Sequence, residues 1–309
     1  MRVFYFNVTY ACNSRCKFCA ANHPILTDDN SQITLAQFKE VLSQNQVGSG
    51  DRVIINGGEP TVHPDFFEFL DAVQECNAKI DLFTNGKKLA DEQFTRKVME
   101  HGNMHIRIPL FGGTAEAHDF LTGQKGNFNA VTGGIDNVYG LLREGITLEI
   151  KMLLSTATVK ENEKIYEIVR TRWTGPAVRM SLNPLLISDM VVMNKELFLD
   201  NYENLLRQSE PLLKKAEFDH VHINTSLIPP CAFSDDMRVE TYRGFRVADQ
   251  THYTDSSRNI NEDEMKGRER CRECDLVGSC NGYPRSYVNY FGSGVMKPIH
   301  IDHKKLIPI

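Results

Sequence analysis

No stretch of the 309 residues approaches the ~20 consecutive apolar residues that a membrane span needs. The opening Met1-Arg-Val-Phe-Tyr-Phe-Asn-Val8 is too short an apolar run, and carries no small-residue cleavage pattern, to serve as a signal peptide. A cytoplasmic protein without membrane association is therefore expected, with this run as a first strand. Nor is there an excess of positive charge. Against 35 Lys and Arg stand 40 Asp and Glu, and a formal net charge of −5 gives no general attraction to nucleic acid.

What the chain does hold is clustered cysteine. Of eight cysteines, Cys12, Cys16 and Cys19 sit together, Cys271, Cys274 and Cys280 sit together, and Cys76 and Cys231 stand alone. Disulfide frameworks belong mainly to small secreted domains, whereas clustered C-x2-C spacing in a cytosolic chain reads as metal ligation. A structural zinc site takes four closed ligands. Three thiolates on a four-iron cluster instead leave one iron open, as a catalytic cluster requires. Iron–sulfur ligation is the expectation, with zinc and disulfides as the alternatives.

Between the clusters the sequence alternates strand-like and helix-like segments. Strands are expected at 3–8, 52–56, 79–84, 104–110, 146–154 and 177–183, with helices at 34–43, 64–76, 91–101, 128–143 and 160–172. Repeated βα units with apolar strands imply a parallel sheet with helices outside. Six units fit an open, partial (β/α)6 TIM-like barrel of the α/β class better than a closed eight-stranded one. Reactive groups then lie where loops leave the C-terminal ends of strands. The first cysteine loop follows strand one, and Gly57-Gly58-Glu59-Pro60 follows strand two.

The shape C-x3-C-x2-C with Phe18 before the last cysteine, followed about forty residues later by Gly-Gly-Glu-Pro, resembles the radical S-adenosylmethionine (SAM) enzymes. The resemblance implies that Cys12, Cys16 and Cys19 hold a 4Fe–4S cluster whose free iron chelates SAM. It implies that Gly57, Gly58, Glu59 and Pro60 meet the amino group of the SAM methionine and that Phe18 lies near the adenine. Thr84 and Asn85 would reach the nucleoside or methionine, Lys151 the SAM carboxylate, and Asn183 the end of strand six. Strand four, ending Ile108-Pro109-Leu110-Phe111-Gly112-Gly113, departs from the serine-containing version of the wider family and resembles a subgroup that includes His-Xaa-Ser peptide maturases. His118 and Asp119 are read as loop-fixing rather than catalytic.

After residue 194 the texture changes. One long amphipathic helix is expected over 195–217 and a loop over 249–264. The run Cys271-Arg-Glu-Cys274 to Cys280 resembles the C-terminal auxiliary-cluster extensions of the family, called SPASM for two clusters and twitch for one. Asp249 and Pro284 occupy positions where the SPASM pattern has cysteine, so Cys231, Cys271, Cys274 and Cys280 remain as ligands of a single auxiliary 4Fe–4S cluster. The organisation expected is a barrel over 1–193, a bridging helix over 194–218 and a small cluster-binding extension over 219–309. The resemblance implies SAM cleavage to a 5′-deoxyadenosyl radical and oxidation or cross-linking of a ribosomally made peptide. The alternatives are oxidation or epimerisation of a carbohydrate-like small molecule or of a peptide residue, and a non-catalytic iron–sulfur electron carrier. Implied partners are a flavodoxin- or ferredoxin-like electron donor and, since the barrel starts at once, a leader-binding domain that is either a separate protein or absent.

Overall fold

The computed structural model describes residues 2–19, 32–234, 251–255, 266–267, 270–277, 280 and 282–300. The six expected strands are all present: β1 (Val3–Thr9), β2 (Arg52–Gly57), β3 (Lys79–Phe83), β4 (Met104–Pro109), β5 (Ile146–Leu154) and β6 (Val178–Pro184). They pair in sequence order and in parallel. Two further parallel strands, β7 (Ile223–Asn224) beside β6 and β8 (Thr251–Asp255) beside β1, extend the sheet to eight. Strand β8 falls within the stretch expected to be a loop, because backbone pairing to β1 needs no apolar side chain. Residues 256–265 lie outside the described set.

The helices between strands form where local signals agree. Helix α1 (Leu35–Gln44) begins at a reciprocal capping box, in which Thr34 Oγ1 accepts from Gln37 N and Gln37 Oε1 accepts from Thr34 N. Helix α2 (Phe66–Glu75) buries Phe66, Phe69, Leu70 and Val73 against the sheet. Asp91 caps α3 (Glu92–Glu100). The structure adds α4 (Ala115–Thr122), capped by Thr114 and stopped by Gly123 in the left-handed region, before α5 (Asn127–Gly140) and α6 (Glu161–Arg172).

The single helix expected over 195–217 is broken. Two short helices, α7 (Asp189–Met193) and α8 (Lys195–Phe198), precede α9 (Tyr202–Phe218). The break has a local cause. Asn201 turns extended to accept from Asn204 N at 2.9 Å, while Asp200 accepts from Asn201 N and from the Asn204 side chain. These side chains satisfy the backbone outside a helix.

The strands alternate more sharply than their apolar content suggested. Met104, Ile106 and Ile108 on β4 and Leu148, Ile150 and Met152 on β5 point to the helices and are fully buried. The opposite parity carries charge into the bore. Arg107 grips Asp81 with two bonds of 2.7 and 2.9 Å, and Arg52 lies 3.5 Å from the same carboxylate. Glu149 stands 3.0 Å from His105 and 3.6 Å from Arg107, and accepts from Ser181 at 2.5 Å. Burial pushes the Glu149 carboxyl up, but these partners outweigh it and hold it down at about 2. Removing one member strands buried charge, so Asp81→Ala is expected to lower unfolding stability by about 3–5 kcal/mol in urea titration. A loss below about 1 kcal/mol would show that the network is not structural.

Candidate active site

The cysteine loop leaves β1 and is held from three sides. Arg15 N donates to Thr122 O at 3.1 Å and Lys17 N to Leu121 O at 3.0 Å, at the end of α4. A Cβ at Gly123 would stand 2.4 Å from Arg15 O, so the α4 terminus must be glycine for the loop to close on it. Asn194 Nδ2 reaches Lys17 O at 3.4 Å from the α7–α8 side. On the third side Asn85 Nδ2 donates to Asn13 Oδ1 at 2.6 Å, and Lys87 Nζ donates to Asn13 O at 2.5 Å.

The Gly57-Gly58 pair lets β2 press against this loop. A Cβ on Gly57 would meet Thr9 O at 2.2 Å, and one on Gly58 would meet Ala11 O at 2.4 Å and Tyr10 O at 2.5 Å. Gly58 N donates to Thr9 O, and Glu59 N donates to Ala11 O. Pro60 then opens a single 3-10 turn, Pro60–Val62. Glu59 is fully buried. Its Oε1 accepts from Thr61 N, Thr61 Oγ1 and Thr84 Oγ1, and its Oε2 from Asn85 N at 2.6 Å. Burial raises its pKa despite these donors. Glu59 thus ties the end of β2 to the end of β3 rather than standing displayed in a cleft.

The three thiols lie on one loop, Cys12 exposed and Cys16 and Cys19 half-buried. Burial pushes Cys12 up to about 11, and Cys16 is raised further by burial and by the neighbouring Cys19 and Cys12. Ser14 N approaches Cys12 Sγ at 3.4 Å, and Asn85 Nδ2 approaches it at 3.9 Å. Three mutually repelling thiolates fit a multiply charged metal centre, which deprotonates the thiols that bind it. The residues present therefore suit a 4Fe–4S cluster. Asn13 and Lys87 were not anticipated from sequence. The available signal for Lys87 was a cation directly after the Asn85-Gly86 turn.

The remaining expected residues are placed less uniformly. Phe18 packs edge-on to Phe111 and Phe198, with centroids 4.8 and 5.5 Å away. Lys151 lies in the bore with Nζ 4.4 Å above the Phe83 ring, and burial, then Arg107, pulls its pKa down to about 8. Asn183 donates to Ser181 Oγ at 2.8 Å. The structure thus brings together the cysteine loop, Gly57–Pro60, Thr84 and Asn85, while Lys151 and Asn183 are engaged by bore residues.

A second group of thiols, Cys231, Cys271, Cys274 and Cys280, lines one pocket, walled by Pro229, Pro230, Tyr283 and Pro298. Gly282 N points at Cys280 Sγ at 3.2 Å and Ile299 N at Cys274 Sγ at 3.4 Å. Tyr283 OH lies 3.7 Å from Cys231 Sγ. Backbone donors aimed at sulfur are what cluster thiolates use.

His118 and Asp119 fix the loops around α4. His118 Nδ1 accepts from Phe111 N at 3.2 Å, and Asp119 accepts from Gly126 N and Phe128 N. Burial pulls His118 down to about 4. The unfolded chain, with the imidazole near its usual 6.5, binds the proton first. Its contribution to stability is thus present above pH 6.5 and lost as pH falls toward 4. His118→Gln is expected to flatten that part of the stability–pH curve in urea titrations between pH 4 and 7; an unchanged slope would assign the loss to another group.

Similarity to known proteins agrees with this arrangement. Mycofactocin maturase MftC of Mycobacterium tuberculosis is 28% identical over 145 residues, 47% of this chain and 36% of that protein. Fe-coproporphyrin III synthase of Methanosarcina barkeri is 25% identical over 167 residues, 54% of this chain and 40% of that protein. The chain thus aligns with well under half the length of these curated relatives. In fold it is similar to Streptococcus suis SuiB bound to S-adenosylmethionine, with TM-score 0.65 and 12% identity over 96% of this chain and 76% of that one. The same protein bound to its precursor peptide SuiA superposes with TM-score 0.60 and 14% identity over 81% of this chain and 56% of that one. The pattern of the radical SAM superfamily matches residues 6–169, more than half of the chain, and the protein belongs to that superfamily.

Proposed function

We propose that this enzyme cleaves SAM reductively and uses the resulting radical chemistry to oxidise or cross-link a ribosomally made peptide. The observation that carries the reading is the joined cysteine loop and Gly57–Pro60 segment, supported by a second pocket that four cysteines line. A 4Fe–4S cluster on Cys12, Cys16 and Cys19 with bound SAM supplies a 5′-deoxyadenosyl radical able to take hydrogen from an unactivated carbon. The chain positions and seals. Gly57 and Gly58 allow close backbone approach, Glu59 holds Thr84 and Asn85 in place, and Phe18 with Phe111 and Phe198 packs apolar surface beside the loop. In this reading Pro60, Lys151 and Asn183 complete the SAM contacts.

Cys231, Cys271, Cys274 and Cys280 would hold a second 4Fe–4S cluster within an extension over 219–309, joined to the barrel (1–193) by residues 194–218. Four protein ligands leave that cluster no open position, which suits electron transfer. Cys76 ends α2 and packs against the core, so it is not placed to return hydrogen to a substrate. Both features support net oxidation over epimerisation. The likeness to MftC, named as a maturase, and to SuiB, solved with a precursor peptide, supports a peptide substrate. The likeness to Fe-coproporphyrin III synthase keeps a small-molecule substrate as the second reading. A flavodoxin- or ferredoxin-like donor completes the scheme.

Anaerobic reconstitution tests it. The protein should bind about eight irons with matching sulfide and yield 5′-deoxyadenosine from SAM and reductant. Cys16→Ala should abolish that product, whereas Cys271→Ala should lose about half the iron and keep uncoupled cleavage. Zinc in place of iron at the second site would sink the auxiliary-cluster assignment. Glu59→Gln is expected to weaken SAM binding about tenfold or more in equilibrium dialysis, by loosening Thr84 and Asn85, which the carboxylate holds in place. Loss of two hydrogens from the substrate marks oxidation, and one deuterium gained from D2O marks epimerisation.

A further inference from the structure

At the N-terminal ends of the strands, opposite the cysteine loop, lies a cavity of about 1050 Å3. Five basic side chains line it: Arg52, Lys79, Arg107, Arg170 and Arg179. Three carboxylates answer some of them. Asp81 takes Arg52 and Arg107, Glu149 lies beside Arg107, and Asp219 takes Arg170 at 2.7 Å. Neither Lys79 nor Arg179 has a carboxylate within ion-pair distance among the described residues. His105, His220 and His222 add imidazoles, and Thr174, Asn224 and Ser226 add neutral hydrogen-bonding groups at the rim.

This concentration of charge is unfavourable without a ligand. Arg52 and Lys79 are register partners on neighbouring strands, where like charges destabilise the pair. The Lys79 ammonium is pulled down by burial and by Arg52, with Arg179 and Arg107 adding to the effect against Asp81. The chain as a whole is acidic, at −5, so the cationic mouth is not a share of a general surplus. Guanidinium forks match phosphate oxygens in pairs, and a lysine adds a point charge. The two cations without a carboxylate partner call for a ligand group with about two negative charges, which a phosphate group carries near neutral pH.

We infer that the N-terminal mouth of the barrel is a binding site for a phosphate-bearing ligand, held chiefly by Lys79 and Arg179 with Arg52 and Arg107 behind them. The site lies at the other end of the bore from the SAM-binding residues and does not depend on the peptide reading. Calorimetric titration with inorganic pyrophosphate at low ionic strength tests it. Saturable one-to-one binding is expected, weakened about tenfold or more in the Lys79→Gln/Arg179→Gln double variant, in line with lost charge-assisted bonds. A Lys39→Gln/Lys214→Gln variant, with the same charge loss on other faces, should bind as the parent does. Absence of saturable binding overturns the site, as does equal weakening by the control pair. Tighter binding of citrate than of pyrophosphate overturns the phosphate assignment. Retained urea midpoints in both variants confirm that binding, not folding, is being read.

Discussion

Contact between the Gly57-Gly58 backbone and the backbone of Thr9–Ala11 is the constraint from which the site follows. Neither glycine has room for a Cβ, so two strand ends meet at distances that only a bare backbone permits. That contact places the start of the cysteine loop directly beside the turn that carries Glu59. Glu59 in turn fixes Thr84 and Asn85, and Asn85 returns to the loop through Asn13. The circuit runs from β1 to β2 to β3 and back. Each member is held by another member, so geometry at the thiols depends on hydrogen bonds several residues away. A buried carboxylate with a raised pKa is costly alone, and its four donors are what make it tolerable.

The bore imposes a second constraint. An all-parallel sheet ordinarily buries apolar residues on both faces. Here the inner parity carries, beside apolar residues such as Ile54 and Leu153, a polar ladder from Arg52 through Asp81, Arg107 and Glu149 to Ser181. Such a ladder contributes less net stability than apolar packing would, because both partners lose water. What it does supply is a polar, positionally fixed lining for an open barrel whose lumen is not filled by its own side chains.

Much of this was readable in the sequence where one signal decided the outcome. The βα alternation, the Thr34 cap and the two cysteine groups are local patterns with local causes. Helix α4 was missed because Glu116, His118 and Asp119 make eight residues look like a polar loop, while its real determinants are the cap at Thr114 and the space available at Gly123. The break before α9 was missed because Leu197, Tyr202 and Leu205 keep an apolar rhythm that continues across Asp200-Asn201. Capping by those two side chains overrode the rhythm. The polar bore was legible as His105-Ile-Arg107 and Glu149-Ile-Lys151, an alternation masked by the overall apolar content of the strands. Glu59 was identified, but its sealing by Thr61, Thr84 and Asn85 depends on residues up to 26 positions away.

The ladder across the bore also bears on how a substrate reaches the cysteine-loop end. Its bonds connect β2, β3, β4, β5 and β6, so nearly every strand of the barrel contributes to the cross-bar. Threading a chain past it would require breaking the two-bond Arg107–Asp81 grip and leaving both groups buried, at a cost of several kcal/mol. A cross-bar of charge therefore stands between the N-terminal mouth and the cysteine-loop end. In the proposed reading a substrate would arrive from the C-terminal side, past the loops that follow the strands. Lys151 and Asn183 lie two residues further along β5 and β6 than Glu149 and Ser181, on that side of the cross-bar.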